Sequence, residues 1–232
     1  MSSPIVDSKK TVFNKALIAF HKKTAHTVRI RFLIEKFSAL IEGVHTDCIM
    51  RDLKCLDVGC GDMTLAEGIG KQLQYTSWTC ADIHELPSDL TEVEKWQKYI
   101  QFNGVELDFN DNYFDIVVMS DMLHHATENE ADGLLREAAR VGRYILIKDN
   151  FEYSIYSRSI LRVLDFLGNY GYGISVPKKY YSPSSFSSKI KAANMKIIKM
   201  DTNIDFYSRM SILGKAILPH WQFIALLKGP KL

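Results

Sequence analysis

The chain has 232 residues, of which 47% are hydrophobic and 24% charged, the balance of a globular protein with a substantial core. Its 29 basic and 27 acidic residues give a formal net charge of +2, far from the strongly basic composition of a dedicated nucleic-acid-binding protein. The N-terminal segment Met1–Lys10 lacks the apolar core of a secretory signal, and no run of about 18 apolar residues is present, so we expect a cytoplasmic protein without stable membrane insertion.

The N-terminal region is predicted to be helical. Between residues 12 and 43, apolar residues recur at roughly helical spacing among basic residues, and Gly43 is a plausible helix end. We predict that residues 1–50 form N-terminal helices that extend and cap the domain of residues 51–232.

From residue 51 onward, short apolar runs alternate with helical patterns, which is typical of an α/β domain with a mostly parallel sheet. The predicted strands are Lys54–Val58, Ser77–Ile83, Phe114–Ser120, Tyr144–Lys148, Met195–Met200 and Gln222–Leu227. The predicted helices are Leu65–Leu73, Leu90–Tyr99, Glu130–Val141, Ile155–Leu167 and Pro183–Ala193, the last capped by Ser182. We expect a mixed sheet of about seven strands with helices on both faces, interrupted by a helical cap insertion at residues 149–182.

The first predicted strand leads into a turn that contains Gly59 and Gly61 and follows Asp57. Glycines in such a turn allow the backbone to approach a ligand closely. The second strand ends in Asp82, where an acid can bind both hydroxyls of a nucleoside ribose. Together these positions indicate a cofactor that contains a nucleoside.

The acidic residues of the turn distinguish between such cofactors. Asp57 and Asp62 would repel a pyrophosphate, and Thr64 occupies the position where a dinucleotide-binding fold has its third glycine. Both acids are compatible with the positively charged sulfonium and amino groups of S-adenosylmethionine. The turn therefore favours S-adenosylmethionine over NAD.

Four segments resemble, in order, the motifs of class I S-adenosylmethionine-dependent methyltransferases, and within them the small-molecule group typified by ubiquinone/menaquinone C-methyltransferases (methyltransferase type 11). They are Leu56–Gly61, Ala81–Ile83, Gly104–Val117 and Val118–His125. The resemblance extends over roughly residues 50 to 230 and implies a Rossmann-like fold with S-adenosylmethionine as cofactor.

The resemblance also implies roles for individual residues. It assigns Asp57, Gly59 and Gly61 to the methionine end of the cofactor, Asp82 to the ribose, Ile83, Asn103 and Gly104 to the adenine, and Ser120 to a backbone approach. The chain departs from the family at Met63, Asp108 and Asn103, where glycine, proline and an acid are commoner. The Asn103 amide still offers an acceptor for the adenine amino group.

His124 and His125 are the candidate catalytic residues, because they follow the strand end that would carry the donor methyl group. A histidine could deprotonate a hydroxyl, an amine or an activated carbon. The alternative for each is that it only shapes the pocket or caps a segment. Asp149, Tyr153 and Tyr156, in the tyrosine-rich cap insertion, are predicted to line the substrate pocket, although core packing is the commoner role of aromatic residues.

These aromatic residues suggest a small apolar or aromatic acceptor, including lipid-like, polyketide-like or carrier-bound molecules. No D/N-P-P-Y/F motif follows the fourth strand, where Ser120-Asp-Met stands, so a nucleic-acid partner is not expected. We predict no metal ion and no particular oligomeric state.

Three other functions remain open at this stage. Asp121, Asp149 and Asn150 are similar to the ligands with which catechol-type O-methyltransferases hold Mg²⁺. Tyr144 and Lys148 match the Y-x-x-x-K pair of short-chain dehydrogenases, but that pair works on a helix and here lies in a predicted strand. The third is a non-catalytic subunit that binds S-adenosylmethionine.

Overall fold

The computed structural model describes residues 8–45, 51–85, 97–169, 176–205 and 217–230, with side chains described from residue 26 onward in the first range and as far as residue 166 in the third. The helices are α1 (Ser8–His45), α2 (Thr64–Gln72), α3 (Glu128–Val141), α4 (Ile155–Asn169) and α5 (Pro183–Ala192). The strands are β1 (Leu53–Val58), β2 (Thr76–Asp82), β3 (Tyr99–Gln101), β4 (Phe114–Ser120), β5 (Gly142–Asn150), β6 (Lys196–Asp201) and β7 (Gln222–Lys228).

The strands form one seven-stranded mixed sheet in the order β3-β2-β1-β4-β5-β7-β6. The first five strands are parallel, whereas β7 lies antiparallel to both β5 and β6. The chain order reverses between β1 and β4, and ligands of open α/β sheets bind beyond the carboxyl ends of the strands at such a point. The predicted α/β, Rossmann-like architecture is confirmed.

Helices cover both faces of the sheet. On one face, α1 and α2 pack against the strands through buried residues that include Leu33, Phe37 and Ile69. On the other face, α3 and α5 contribute residues such as Leu135 and Phe186. Strand β4 is buried along six of its seven positions, as expected for a central strand covered on both sides.

Local capping explains where two of the helices begin. Thr127 caps α3, because its side chain accepts a hydrogen bond from the Glu130 N–H while the Glu130 carboxylate accepts one from the Thr127 N–H. Ser182 and Ser185 form the equivalent reciprocal pair at α5. Such boxes satisfy backbone donors that have no partner within the helix. The predicted Ser182 cap is confirmed.

Several element boundaries differ from prediction. The N-terminal region forms one continuous helix rather than several. Strand β3 was absent from the predicted set, because its three residues are too few for a period-2 pattern. Strand β5 extends to Asn150, which pairs with Gln222 of β7, so Asp149 belongs to the sheet and not to the insertion.

Other predictions lie outside the described residues. Residues 86–96, which hold most of the predicted helix Leu90–Tyr99, are among them, as are residues 170–175 of the cap insertion. The division into an extension of residues 1–50 and a domain of residues 51–232 stays a prediction. Within the described ranges, the helices include none with the length and apolar character needed to span a membrane.

Candidate functional site

The glycine turn after β1 is held against the end of β2. The backbone N–H groups of Gly59 and Cys60 donate to the Ala81 carbonyl at 2.8 and 3.2 Å, and the Gly61 N–H donates to Asp82 Oδ2 at 2.9 Å. Gly59 and Gly61 have φ of 72° and 52°, the left-handed region that favours glycine. The turn thus brings the ends of β1 and β2 together.

Asp57 lies under this turn with its carboxyl group buried and incompletely paired. It is 2% exposed, and its Oδ2 has no hydrogen-bond partner among the described residues. Burial, followed by the nearby acids Asp82 and Asp62, raises the pKa of Asp57 to about 8. A buried acid without a counter-charge fits a cationic ligand group, as the S-adenosylmethionine hypothesis requires.

Asp82 organises the neighbouring strand end. Its two carboxylate oxygens accept the N–H groups of Gly61 and His84, at 2.9 and 3.2 Å. A carboxylate has about four acceptor sites, so capacity remains for the hydroxyls of a ribose. The residues assigned to the methionine end and to the ribose are therefore adjacent in space.

Ile83 and Gly104 form an apolar surface next to Asp82. The Ile83 side chain is 56% exposed, and a Cβ added to Gly104 would lie 3.2 Å from Ile83 Cγ2. Gly104 also has a φ of 81°. A flat purine could rest on this exposed aliphatic side chain.

Asn103 differs from expectation in its hydrogen bonding. Its Oδ1 accepts the backbone N–H groups of Val105 and Glu106 at 2.9 and 2.8 Å. Both lone pairs of the amide oxygen are therefore used within the loop, although the sequence suggested that this oxygen faces the adenine amino group. The position of Asn103 beside Gly104 still allows contact with adenine through other atoms.

The end of β4 carries Ser120 and Asp121. Ser120 Oγ is buried without a hydrogen-bond partner among the described residues, and Asp121 has a φ of 52°. The Asp121 carboxylate accepts hydrogen bonds from Arg29 of α1 and from the fully buried Lys148 of β5. Burial acts to raise the pKa of Asp121, but Arg29, Lys148 and His124 outweigh it and hold that pKa well below its usual range.

His124 occupies a short 3-10 turn, Leu123–His125, beyond β4. Its Nδ1 lies 2.6 Å from Oδ1 of Asp149 on β5, and its Nε2 lies 3.6 Å from Oδ2 of Asp165 on α4. Burial alone would lower the pKa of His124, but Asp149, and then Asp165 and Asp121, raise it to about 8. The sequence names His124 and Asp149 separately, and the structure joins them.

Comparisons with known proteins find one similar domain family and several solved structures with a similar fold. Residues 56–144 match the family model described as a methyltransferase domain. The matched segment is similar to this family and contains the glycine turn, Asp82 and strand β4. Together with the sequence motifs, this similarity indicates S-adenosylmethionine as the cofactor.

Three solved structures illustrate the similarity of the methyltransferase fold. A magnesium protoporphyrin IX methyltransferase from Synechocystis PCC 6803 with bound SAH has a TM-score of 0.57 and 12% identity, over 99% of this chain and 90% of that one. A protein from Galdieria sulphuraria, assigned as a sarcosine dimethylglycine methyltransferase, has a TM-score of 0.56 and 17% identity, over 82% of this chain and 85% of that one. An S-adenosylmethionine-dependent methyltransferase from Aquifex aeolicus has a TM-score of 0.51 and 15% identity, over 76% of this chain and 82% of that one. No curated protein sequence matches the chain significantly.

The pocket residues predicted from the cap insertion are dispersed. Tyr153 and Tyr156 are half exposed or more, and their rings contact His220 and Trp221 with centroids 5.0 and 5.9 Å apart. Asp149 is fully buried behind His124. Asp149 therefore supports a neighbouring side chain rather than lining an open surface.

Contacts within the chain also bear on two alternative functions, Mg²⁺ binding and the dehydrogenase chemistry of a Y-x-x-x-K pair. His124, His125 and Asp165 each bring one potential ligand atom to within 4.8 Å of the others, but His124 already contacts Asp149, and Asp165 accepts the Tyr180 hydroxyl. The Mg²⁺ hypothesis is disfavoured because Asp121 is neutralised by cations of the chain. Lys148 lies on strand β5 and forms an ion pair with Asp121, so it does not belong to a helical Y-x-x-x-K site.

Sequence reasoning missed three functional candidates. Arg29, Asp165 and Tyr180 reach the site from α1, from α4 and from the chain that follows α4. Their positions in sequence carry no motif, since each becomes relevant only through the docking of its element. The sequence feature that came closest to indicating one of these residues is the high density of tyrosines around Tyr180.

Proposed function

We propose that this chain binds S-adenosylmethionine at the carboxyl edge of β1, β2 and β4 and transfers its methyl group to a small, apolar or aromatic acceptor. The observation that carries the proposal is the buried Asp57 carboxyl beneath a glycine turn, whose Oδ2 has no hydrogen-bond partner among the described residues, next to Asp82 at the adjoining strand end. A cationic amino acid end above Asp57 and a ribose at Asp82 would satisfy both groups.

Each group of cofactor-binding residues would hold a different part of S-adenosylmethionine. Asp57, Gly59 and Gly61 would hold the methionine end, Asp82 the ribose hydroxyls, and Ile83, Asn103 and Gly104 the adenine. The backbone at Ser120 would approach the cofactor near the reacting centre. When bound, S-adenosylmethionine supplies an electrophilic methyl group on a positively charged sulfur.

The acceptor would bind under the cap. Tyr153 and Tyr156 stand at the start of α4 and pack against His220 and Trp221; this aromatic group would suit an apolar or aromatic molecule. Enclosure by the cap and by α1 would exclude water and align the acceptor for in-line attack. Lipid-like, polyketide-like and carrier-bound molecules are acceptors of this chemical type.

A histidine would assist by removing a proton from the acceptor. His124 and His125 follow β4 directly, and their ring centroids are 4.2 Å apart. Asp149 fixes the orientation of the first ring, because its carboxylate lies 2.6 Å from His124 Nδ1. A proton acceptor matters most for hydroxyl, protonated amine or carbon acids, whose protonated forms are weak nucleophiles.

The test is a transfer assay with methyl-labelled S-adenosylmethionine and a panel of phenols, quinone-like molecules and acyl chains. We expect label in at least one acceptor class, and loss of that label in Asp82→Asn, which should lose the cofactor. Tight cofactor binding without transfer to any acceptor would instead favour the non-catalytic binding subunit.

A further inference from the structure

His124 has a carboxylate opposite each of its ring nitrogens. Asp149 Oδ1 lies 2.6 Å from Nδ1, within hydrogen-bond distance, and Asp165 Oδ2 lies 3.6 Å from Nε2, at the distance of an ion pair without a hydrogen bond. The side chains of His124 and Asp149 are 1% and 0% exposed, and that of Asp165 is 17% exposed. The three residues come from the turn after β4, from β5 and from α4, so the contact spans the sheet edge and the cap.

Each carboxylate has a second donor that favours its ionised form. The Asn150 N–H donates to Asp149 Oδ1 at 2.7 Å, and the Tyr180 hydroxyl donates to Asp165 Oδ2. A neutral imidazole carries a hydrogen on only one nitrogen, so its lone pair would face one of the two anions. An imidazolium presents an N–H to both.

The surrounding charges agree with a protonated ring. The groups that face His124 are Asp149 from β5, Asp165 from α4, Tyr180 from the segment after α4, and Asp121 and His125 from the turn beyond β4. Three of these five are acids. Burial lowers the pKa of His124, but these acids together raise it above its ordinary value.

We propose that His124 is a positioning residue, an imidazolium that joins Asp149 of the sheet to Asp165 of the cap helix α4, and that His125 is the residue that takes the proton from the acceptor. The first half rests on the two carboxylates that face the ring and does not require methyl transfer, whereas the second half rests on the proposed methyl transfer. An imidazolium has no lone pair with which to accept a proton. His125 is partly exposed beside it, and its ring would become the imidazolium when the acceptor loses its proton.

The bridge gives the cap a defined position. Asp165 lies on α4 and Tyr180 lies shortly before α5, and both approach His124. Loss of the Asp165 charge would release α4 from the sheet edge while leaving Asp149 and the cofactor turn unchanged. Acceptor binding should then suffer more than the chemical step.

The first test measures protonation of His124 without any activity assay. In ¹⁵N-histidine NMR, with the His124 signals assigned by their loss in His124→Gln, we expect both ring nitrogens to be protonated at neutral pH. Asp165→Asn should lower the pH at which His124 deprotonates by about one unit, and Tyr180→Phe should lower it less. Asp201→Asn, a partly exposed acid on β6, should leave it unchanged. A neutral His124 at pH 7, or an unaltered titration in Asp165→Asn, would overturn the bridge.

The second test separates the two histidines by kinetics. Asp165→Asn should raise the acceptor KM with little change in kcat, whereas His125→Gln should lower kcat by about 100-fold with little change in KM. Full activity in His125→Gln would remove it as proton acceptor. If the protein transfers no methyl group at all, the proposed function fails while the NMR result still decides the bridge.

Discussion

Arg29 of α1 donates a hydrogen bond from Nε to Oδ2 of Asp121 at 3.0 Å, across 92 positions of sequence. This pair joins the N-terminal helix to the end of β4, close to the glycine turn and to His124. Asp121 has a second cation, Lys148, which is fully buried and approaches its other oxygen. The arrangement makes Arg29 removable without leaving Asp121 or Lys148 as an uncompensated buried charge.

Arg29→Met should therefore weaken the attachment of α1 without unfolding the protein. We expect a loss of about 1 kcal/mol of stability, seen as a fall of ~2–4 °C in the melting temperature, and a higher acceptor KM. Lys36→Met on the same helix is the control, because its Nζ lies 3.7 Å from Asp201 and its side chain is 47% exposed. Equal effects of the two variants would show that the Arg29 pair has no special role.

The two glycines of the turn should respond differently to alanine. A Cβ at Gly59 would lie 3.0 Å from Met122 Cβ, whereas one at Gly61 would meet nothing within 4 Å. Both residues have positive φ, which costs an alanine roughly 1–2 kcal/mol. Gly59→Ala should therefore reduce the affinity for S-adenosylmethionine more than Gly61→Ala in calorimetric titration. The reverse order would contradict the described turn geometry.

Asp82→Asn should weaken cofactor binding severely. The carboxylate anchors the Gly61 N–H and is assigned to the ribose, and hydrogen bonds to a charged group contribute about 1.5–3 kcal/mol each. Loss of one such bond predicts a reduction in affinity of about 10- to 100-fold. Asp201→Asn serves as the matched control. Unchanged affinity in Asp82→Asn would remove the ribose assignment.

Asp57 should make stability depend on pH. Its folded-state pKa is raised from 3.8 to about 8, so the folded protein binds more protons than the unfolded chain between these values. The contribution to stability is thus fully present below about pH 4 and is lost as the pH rises through about 8. Asp57→Asn should flatten this decline and melt ~5 °C or more above the parent near pH 9. Parallel melting curves from about pH 5 to pH 9 would contradict a buried, incompletely paired carboxyl.

The sequence is informative where structure depends on local patterns. Strand β4 has the predicted bounds, Phe114–Ser120, because its run of apolar residues is bounded by polar ones. The Gly59 and Gly61 turn and Asp82 were found together, since the carboxyl ends of neighbouring parallel strands meet at one edge.

The sequence is uninformative where function depends on contacts between distant elements. Asp149 and His124 are 25 positions apart on different elements, so each was named without its partner. The sequence indicates no role for Arg29, Asp165 or Tyr180, because their contacts at the site exist only where α1 and the cap pack in the folded structure. Asn103 illustrates a further limit, because the choice of its oxygen between a ligand and its own loop depends on the backbone of residues 103–106.

Calorimetric titration with S-adenosylmethionine tests the central claim most directly, with its demethylated product and NADH measured in parallel. The Asp57 carboxyl, the glycine turn and Asp82 predict micromolar binding of S-adenosylmethionine and of the product, and no binding of NADH. Failure to bind S-adenosylmethionine, or equal affinity for NADH, would contradict the account of this site.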